Sequence, residues 1–169
     1  NSKILNFFTP NEIVQYRVKT YFSKEPETLE WIDNFEKNEN LIFWDIGANI
    51  GLYSIYAATK HSKMKIFAFE PSTNNLPILT RNISINNLSE NITVNQFPLT
   101  NKSNVFMLMR EKEFNEGGGW HSFGEKFDGW GKEFYGQNNY KIFGTSIDYL
   151  LEKKILEVPD YIKIDVDGI

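Results

Sequence analysis

The sequence contains no cysteine, which excludes thiol catalysis, disulfide bonds and cysteine-ligated zinc together. No stretch approaches the roughly 20 apolar residues of a membrane span, and Ser2–Phe8 is too short for a signal peptide. Lysine and arginine do not cluster, and the net charge of −4 argues against binding to a nucleic-acid backbone. We therefore expect a cytoplasmic protein whose partner is neither a membrane nor a nucleic acid.

The pattern Gly-x-Gly-x-x-Gly, typical of nicotinamide and flavin sites, is also absent. In its place, Asp45–Gly51 reads Asp-Ile-Gly-Ala-Asn-Ile-Gly. Leu41–Trp44 predicts a buried strand of a parallel sheet, and Leu52–Ala58 predicts the helix that follows. Glycines between a strand and a helix allow a sharp turn, and the amides at the helix start can hold a carboxylate or phosphate. The pattern therefore predicts a nucleotide-cofactor loop.

A second acidic strand end supports this prediction. Met64–Phe69 predicts the next strand, and it ends at Glu70, roughly 20 residues past the glycine turn. An acidic side chain at this offset accepts hydrogen bonds from the ribose hydroxyls of an adenosine cofactor, whereas the alternative is an exposed carboxylate at a strand end. Leu76, Leu79 and Ile83 then form a helical stripe, so the region is predicted to be a βαβ unit.

Four motifs in order resemble the signature of the FkbM-type methyltransferases. They are Trp44–Gly51, Phe69–Ser72, Leu79 with Asn82 and Asn86, and Ile162–Gly168. The resemblance covers 41–169 and leaves 1–40 as an N-terminal cover. It implies an α/β fold, the Rossmann-like class I methyltransferase sheet with helices on both faces. It also implies S-adenosyl-L-methionine as the methyl donor, and usually O-methylation of a hydroxyl on a sugar, polyketide or related metabolite.

The resemblance places the cofactor-binding residues at the ends of three predicted strands. The glycine loop would hold the methionine end of the cofactor, and the end of the second strand would hold its ribose. A third strand, predicted at Ile92–Asn95, ends where this fold usually places adenine; Phe97 could stack there or simply be a core residue. The predicted cofactor-binding residues are Asp45, Gly47, Ala48, Asn49, Gly51, Glu70, Pro71, Ser72, Gln96 and Phe97.

The reaction requires few groups besides the cofactor. Methyl transfer needs the acceptor oxygen about 3 Å from the methyl group, and a hydroxyl acceptor must also lose its proton to a base. The predicted fourth core strand, 158–165, ends in Asp165, which is the first candidate for the base, before His121 and Asp167. Asp165 could instead orient the cofactor's amino group, and His121 could be an ordinary loop histidine. Because two carboxylates are a weak metal signal, we expect no metal.

A long excursion, Arg110–Asn139, separates two further predicted strands, Val105–Met109 and Tyr140–Phe143. It is rich in glycine and aromatic residues, and aromatic rings suit the apolar faces of sugars and polyketides. Loops this long inside a domain are commonly functional or disordered. One hypothesis is a substrate-binding flap, and a mobile insertion or a dimer contact is equally compatible.

The N-terminal cover is predicted to contain a strand and a helix. Ile13–Val18 alternates apolar and polar residues, as a strand does. Pro26 suits the first turn of a helix whose Leu29, Ile32 and Phe35 share one face. Packing against the sheet is favoured over contact with the substrate.

The sequence ends just past the fourth predicted core strand, whereas a class I methyltransferase sheet has seven strands. A sheet that ended there would leave that strand with an exposed edge, so we expect the natural protein to be longer. Two other functions stay open: a catalytically silent cofactor-binding or scaffold protein of the same fold, and, less favoured, a nicotinamide-dependent oxidoreductase. The acceptor and the oligomeric state are not predicted.

Overall fold

The computed structural model describes residues 4–37, 40–127 and 132–166, and its centre is a parallel sheet of four strands. The elements in chain order are α1 (Glu12–Lys19), α2 (Tyr21–Lys24), α3 (Pro26–Asp33), β1 (Ile42–Ile46), α4 (Leu52–Lys60), β2 (Lys65–Phe69), α5 (Leu76–Ile85), β3 (Ile92–Asn95), β4 (Val105–Glu111), β5 (His121–Phe123), β6 (Asn138–Gly144), α6 (Ile147–Glu152) and β7 (Tyr161–Ile164). The parallel strands lie in the order β3-β2-β1-β7.

Strand β1 is buried along its whole length, as its apolar run predicts. It pairs in parallel with β2 on one side and with β7 on the other. Phe43 and Trp44 are both fully buried and belong to the cores on opposite faces of the sheet. A strand that is apolar on both faces is typical of a parallel sheet covered by helices, and the predicted α/β class is confirmed.

Helices cover both faces of this sheet. On the Phe43 face, the core contains Ile32 of α3, Ile55 of α4 and Leu79 of α5. On the opposite face, Leu150 of α6 packs with Trp44. The predicted helices after the glycine turn and after Glu70 are therefore confirmed, and each connects two neighbouring parallel strands.

The predicted strand at Ile13–Val18 is wrong, because this segment lies in helix α1. Val14 and Val18 belong to one apolar cluster, and a spacing of four residues suits one face of a helix as well as one face of a strand. The capping residue decides between the two. The side chain of Asn11 accepts a hydrogen bond from the backbone N–H of Val14 at 2.9 Å, which satisfies an amide at the helix start.

The excursion belongs to a second, antiparallel sheet. Strands β4 and β6 pair from Val105↔Gly144 to Glu111↔Asn138, which confirms the two strands predicted beside the excursion. Strand β5, inside the excursion, pairs with the other edge of β4 and gives the order β5-β4-β6. The sequence did not predict β5. Trp130, one of the excursion's aromatic residues, lies outside the described residues.

Strand β7 is an edge of the parallel sheet within the described part of the chain. Ile162 and Ile164 on this strand are 42% and 61% exposed. A longer natural protein, and the division into 1–40 and 41–169, stay predictions. Within the described ranges, no helix combines the length and apolar character that crossing a membrane requires.

Candidate functional site

A cavity of about 400 Å³ lies where β1, β2 and β7 end. The antiparallel sheet closes it from the other side with Met109 of β4 and Phe123 of β5. Seven of the predicted site residues line this cavity: Gly47, Asn49, Glu70, Pro71, Phe97, His121 and Asp165. Five others, Asp45, Ala48, Gly51, Ser72 and Gln96, are not among the described residues that line it.

The two glycines of the loop are required by close packing as well as by backbone geometry. Gly47 has φ +84°, and a Cβ on it would lie 1.9 Å from the carbonyl oxygen of Asp165. Gly51 has φ +88°, and a Cβ there would lie 2.6 Å from a side-chain carbon of Leu79. Gly47 therefore allows the loop to touch the chain after β7. The space that Gly51 leaves open is filled by the Leu79 side chain of helix α5.

The backbone amides of the glycine loop are largely occupied by other protein groups. The amides of Gly47 and Ala48 both donate to the carbonyl oxygen of Phe69 at 3.0 Å, and the amide of Gly51 donates to Ala48. The amide of Asn49 donates to Oε2 of Glu70 at 2.7 Å. These four N–H groups are therefore not available to hold an anion.

Asn49 adopts a left-handed backbone conformation, with φ 51°. Its Nδ2 donates to the carbonyl oxygen of Gly118 at 2.8 Å, which ties the loop to the excursion. Its Oδ1 is buried and has no hydrogen-bond partner within the described part of the protein. Asn49 lines the cavity, so a buried acceptor that the described residues leave unpaired lies in the cavity wall.

Glu70 is 4% exposed, and each of its carboxylate oxygens accepts a backbone hydrogen bond. Oε2 binds the amide of Asn49, and Oε1 binds the amide of Ser72 at 2.8 Å. Burial raises the pKa of Glu70 from 4.5 to about 7, because desolvation outweighs the amide hydrogen bonds, and the nearby charge of Glu111 adds to the rise. The side chain of Asn75 is a third donor to this carboxylate, which leaves about one of its roughly four acceptor sites for a further donor.

Asp45 lies beneath the glycine loop and forms a buried polar cluster. It is fully buried, accepts a hydrogen bond from the hydroxyl of Ser54 at 2.6 Å, and lies 3.8 Å from Nζ of Lys163. Lys163 also lies 3.3 Å from Oδ2 of Asp165 and 4.7 Å from the ring centre of Tyr53. Asp45 thus anchors β7 to β1 through a lysine. Lys163 was not among the predicted site residues, although a lysine between two isoleucines in a predicted strand is a signal of a buried ion pair.

Gly117 and Gly118 of the excursion pack against the cofactor loop and the start of helix α5. The amide of Gly117 donates to Oδ1 of Asn75 at 2.8 Å, and the carbonyl of Gly118 accepts from Asn49 and Asn75. A Cβ on Gly117 would lie 2.7 Å from a methyl group of Val14 in helix α1. The excursion therefore covers one side of the cavity and also contacts the N-terminal helix.

Phe97 lies on the cavity wall just after β3. The Phe97 ring lies 5.9 Å from the Phe69 ring in an edge-on arrangement, and both residues line the cavity. Gln96 is exposed and is not among the described residues that line the cavity. Its predicted contact with the cofactor stays a prediction.

Four titratable residues line the cavity: Glu70, His121, Glu125 and Asp165. The described lining contains neither lysine nor arginine. The Asp165 side chain is 64% exposed. Asp167, the third candidate for the base, lies outside the described residues. Among the described residues, no group of three or more His, Cys, Asp or Glu side chains is placed to hold a metal ion.

Comparison with known proteins gives a family match over most of the chain. The methyltransferase FkbM domain matches residues 45–169. The chain is also 34% identical over 77 residues to methyltransferase sdnD from Sordaria araneosa, which covers 46% of this chain and 29% of that protein. The chain therefore spans less than a third of the length of this curated relative.

Several solved structures share part of the fold. TYW2 from P. horikoshii, in complex with MeSAdo, is 19% identical and overlaps 43% of this chain and 26% of its own, with a TM-score of 0.38. TYW2 from M. jannaschii, in complex with AdoMet, is 25% identical and overlaps 43% and 32%, also with a TM-score of 0.38. These overlaps are too partial to support a functional conclusion.

The buried pair of Asp45 and Lys163 predicts a stability effect. The substitution Lys163→Met leaves the carboxylate of Asp45 buried without its cation. We therefore expect the free energy of unfolding to fall by about 3–5 kcal/mol. Lys65→Met is the matched control, since Lys65 pairs with Glu157 at 2.8 Å with both side chains more than half exposed. It should lose less than about 1 kcal/mol. Urea denaturation of both variants measures the difference, and equal losses would contradict the anchoring role.

Proposed function

The chain belongs to the FkbM methyltransferase domain family, and on this premise we propose that it is an S-adenosylmethionine-dependent O-methyltransferase. The proposed acceptor is a hydroxyl group on a sugar, polyketide or related small metabolite. The observation that carries the proposal is Glu70, a buried carboxylate on the wall of a cavity at the carboxyl ends of parallel strands. Open α/β sheets bind ligands at this edge, and a cavity of about 400 Å³ is large enough for a ligand of cofactor size.

Groups on the cavity wall fit the ribose, the ammonium group and the adenine of this cofactor. The Glu70 carboxylate keeps acceptor capacity for a ribose hydroxyl, in the position where such folds hold a ribose. The Asn49 side chain, which lies on the cavity wall, would face the ammonium group of the methionine part. Because the amides of Gly47, Ala48, Asn49 and Gly51 are occupied, the proposed binding of the methionine end relies on this side chain rather than on those amides. Phe97 supplies an apolar surface for adenine.

The charges on the wall bear on the acceptor. Three carboxylates line the cavity, and its described lining contains neither lysine nor arginine. A phosphate or carboxylate on the acceptor would be repelled in such a site, whereas a neutral polyhydroxylated compound would find acceptors for its hydroxyl groups. This charge pattern favours a neutral acceptor.

Two groups on the wall are proposed as the base that removes the hydroxyl proton. When bound, S-adenosylmethionine supplies an activated methyl group, so the chain's own task is to position the acceptor and take its proton. Oδ2 of Asp165 lies 3.3 Å from Nζ of Lys163, and His121 projects from β5. Both remain candidates.

The first prediction from the proposed function concerns cofactor affinity. We expect the full-length protein to bind S-adenosylhomocysteine with micromolar affinity, and Glu70→Ala to weaken binding by about 1–3 kcal/mol because ribose hydroxyls lose their acceptor. Glu90→Ala, at an exposed carboxylate, is the matched control and should bind like the wild type. Calorimetry with NAD as a competing ligand checks this. Preference for NAD, or no binding by a folded protein, would refute the cofactor assignment.

The second prediction is a pH dependence. The ionised form of Glu70 is the stronger acceptor for ribose hydroxyls, and the pKa of this group lies near 7. Affinity for S-adenosylhomocysteine should therefore be constant above pH 8 and fall by up to tenfold per pH unit below about 7. The sign for stability is the reverse, because a raised pKa makes the ionised group unfavourable in the folded state: Glu70 removes stability as pH rises from about 4.5 to 7. An affinity that is constant down to pH 5.5 would contradict this assignment.

The third prediction separates catalysis from binding. We expect transfer of radiolabelled methyl from the donor to a hydroxylated acceptor, and a loss of about 10²–10⁴-fold in kcat when the base is removed. Asp165→Asn and His121→Asn test the two candidates. The variant that lacks the base should keep its affinity for S-adenosylhomocysteine. Loss of affinity in Asp165→Asn would instead indicate that Asp165 orients the amino group of the cofactor. Cofactor binding without transfer to any acceptor would favour a silent scaffold.

A further inference from the structure

Glu111 is a buried carboxylate to which the sequence analysis assigned no role. It lies at the end of β4 in the antiparallel sheet and is fully buried. Four groups donate hydrogen bonds to it, and all four are uncharged. They are the hydroxyl of Tyr140 at 2.7 Å, the amide of Thr73 at 3.0 Å, Nδ2 of Asn74 at 2.8 Å and Nδ2 of Asn138 at 2.6 Å.

These donors come from two different parts of the protein. Tyr140 and Asn138 belong to β6 and are neighbours of Glu111 in the antiparallel sheet. Thr73 and Asn74 belong to the turn that connects Glu70 to helix α5. Glu111 therefore joins the excursion's sheet to the loop that begins with the proposed ribose ligand.

The two buried carboxylates bind successive amides of this turn. Glu70 accepts from the amide of Ser72, and Glu111 accepts from the next amide, that of Thr73. The hydroxyl of Ser72 accepts the amide of Asn74 at 3.2 Å, which completes the turn. If Glu111 released the turn, the amide that holds Oε1 of Glu70 would lose its fixed position.

The carboxylate is the side chain that this arrangement requires. An ionised carboxylate accepts hydrogen bonds at about four lone-pair sites and donates none, whereas an amide offers one oxygen and a competing NH₂ group. A glutamine at this position would place its own NH₂ group against two of the four groups that now donate to Glu111. The cost of burying the charge is therefore offset only when all four donors are held, as they are here.

We propose that Glu111 is a positioning residue of the cofactor site, which holds the 71–74 turn so that Glu70 and Pro71 stay on the cavity wall. This inference rests on the proposed function. Glu111 acts through Glu70 and does not itself line the described cavity. Its negative charge also raises the pKa of Glu70, so it affects both the place and the ionisation of the ribose ligand.

The other titratable groups around Glu70 come from several elements. Tyr140 on β6 donates to Glu111, and His121 on β5, Glu125 after β5 and Asp165 after β7 line the same cavity. Among these groups, Glu111 is the one whose charge contributes to the raised pKa of Glu70. Removing that charge should therefore move the titration of Glu70 toward lower pH.

The test is Glu111→Gln in the full-length protein, with S-adenosylhomocysteine titrated by calorimetry from pH 5.5 to 8.5. We expect affinity at pH 8 to fall about tenfold, the size of one lost hydrogen bond to a charged group. We also expect the fall in affinity at acid pH to begin at a lower pH than in the wild type. A residue that only stabilised the fold would lower the melting temperature and leave this pH profile unchanged, and that result would overturn the proposal.

Tyr140→Phe and Glu113→Gln complete the experiment. Tyr140→Phe removes one donor to Glu111 and keeps the charge of Glu111. Affinity for S-adenosylhomocysteine should therefore fall severalfold, while the fall in affinity at acid pH should begin at the same pH as in the wild type. If this variant bound like the wild type, the proposal would be overturned even if Glu111→Gln does not fold. Glu113→Gln, at an exposed carboxylate two residues away, should change neither quantity. Absence of binding by the wild type would instead refute the proposed function.

Discussion

The pair of hydrogen bonds from the amides of Asn49 and Ser72 to the carboxylate of Glu70 joins the two loops that shape the cavity. One amide belongs to the turn after β1 and the other to the turn after β2, so a single side chain sets the distance between neighbouring strand ends. Burial is the cost of this arrangement, and it raises the pKa of Glu70 to about 7. Because the pKa of Glu70 lies near neutral pH, the ionisation of this carboxylate depends on the groups that lie next to it.

The cavity wall carries carboxylates, and a lysine lies beside one of them. Glu70, Glu125 and Asp165 line the cavity, while Lys163 lies behind the glycine loop between Asp45 and Asp165. Its side chain is 9% exposed, so its charge is largely used by these two carboxylates. In the proposed reaction, a wall of carboxylates would hold a cationic sulfonium donor more strongly than the neutral thioether that remains after transfer. The same electrostatics that favour donor binding would then favour product release.

Local patterns in the sequence predicted the parallel sheet well and the surrounding structure less well. The apolar run of β1, the glycine turn and the position of Glu70 each follow from spacing within one βαβ unit. Helix α1 was mistaken for a strand because Val14 and Val18 satisfy both periodicities, and the Asn11 cap that decides the matter was not weighed. The partners of Glu111 and Lys163 could not be identified from local patterns, because Asn74 lies 37 residues from Glu111 and Asp45 lies 118 residues from Lys163 in the sequence. Gln96 was assigned to the cofactor by its position after β3 alone, and this assignment stays a prediction.

The attachment of the excursion bears on how an acceptor could be selected. Gly117 and Gly118 are fixed to Asn75 and Asn49 on one side of the cavity, and Glu111 fixes the antiparallel sheet to the turn after Glu70 on the other. Movement of this sheet as a rigid lid would break one of these sets of hydrogen bonds and leave buried polar groups unpaired, which is costly. The hypothesis of a substrate-binding flap therefore takes a more specific form, in which the wall between the two attachments stays in place. Selection would then rest on the side chains that this wall presents, His121, Phe123 and Glu125, rather than on opening and closing of the excursion.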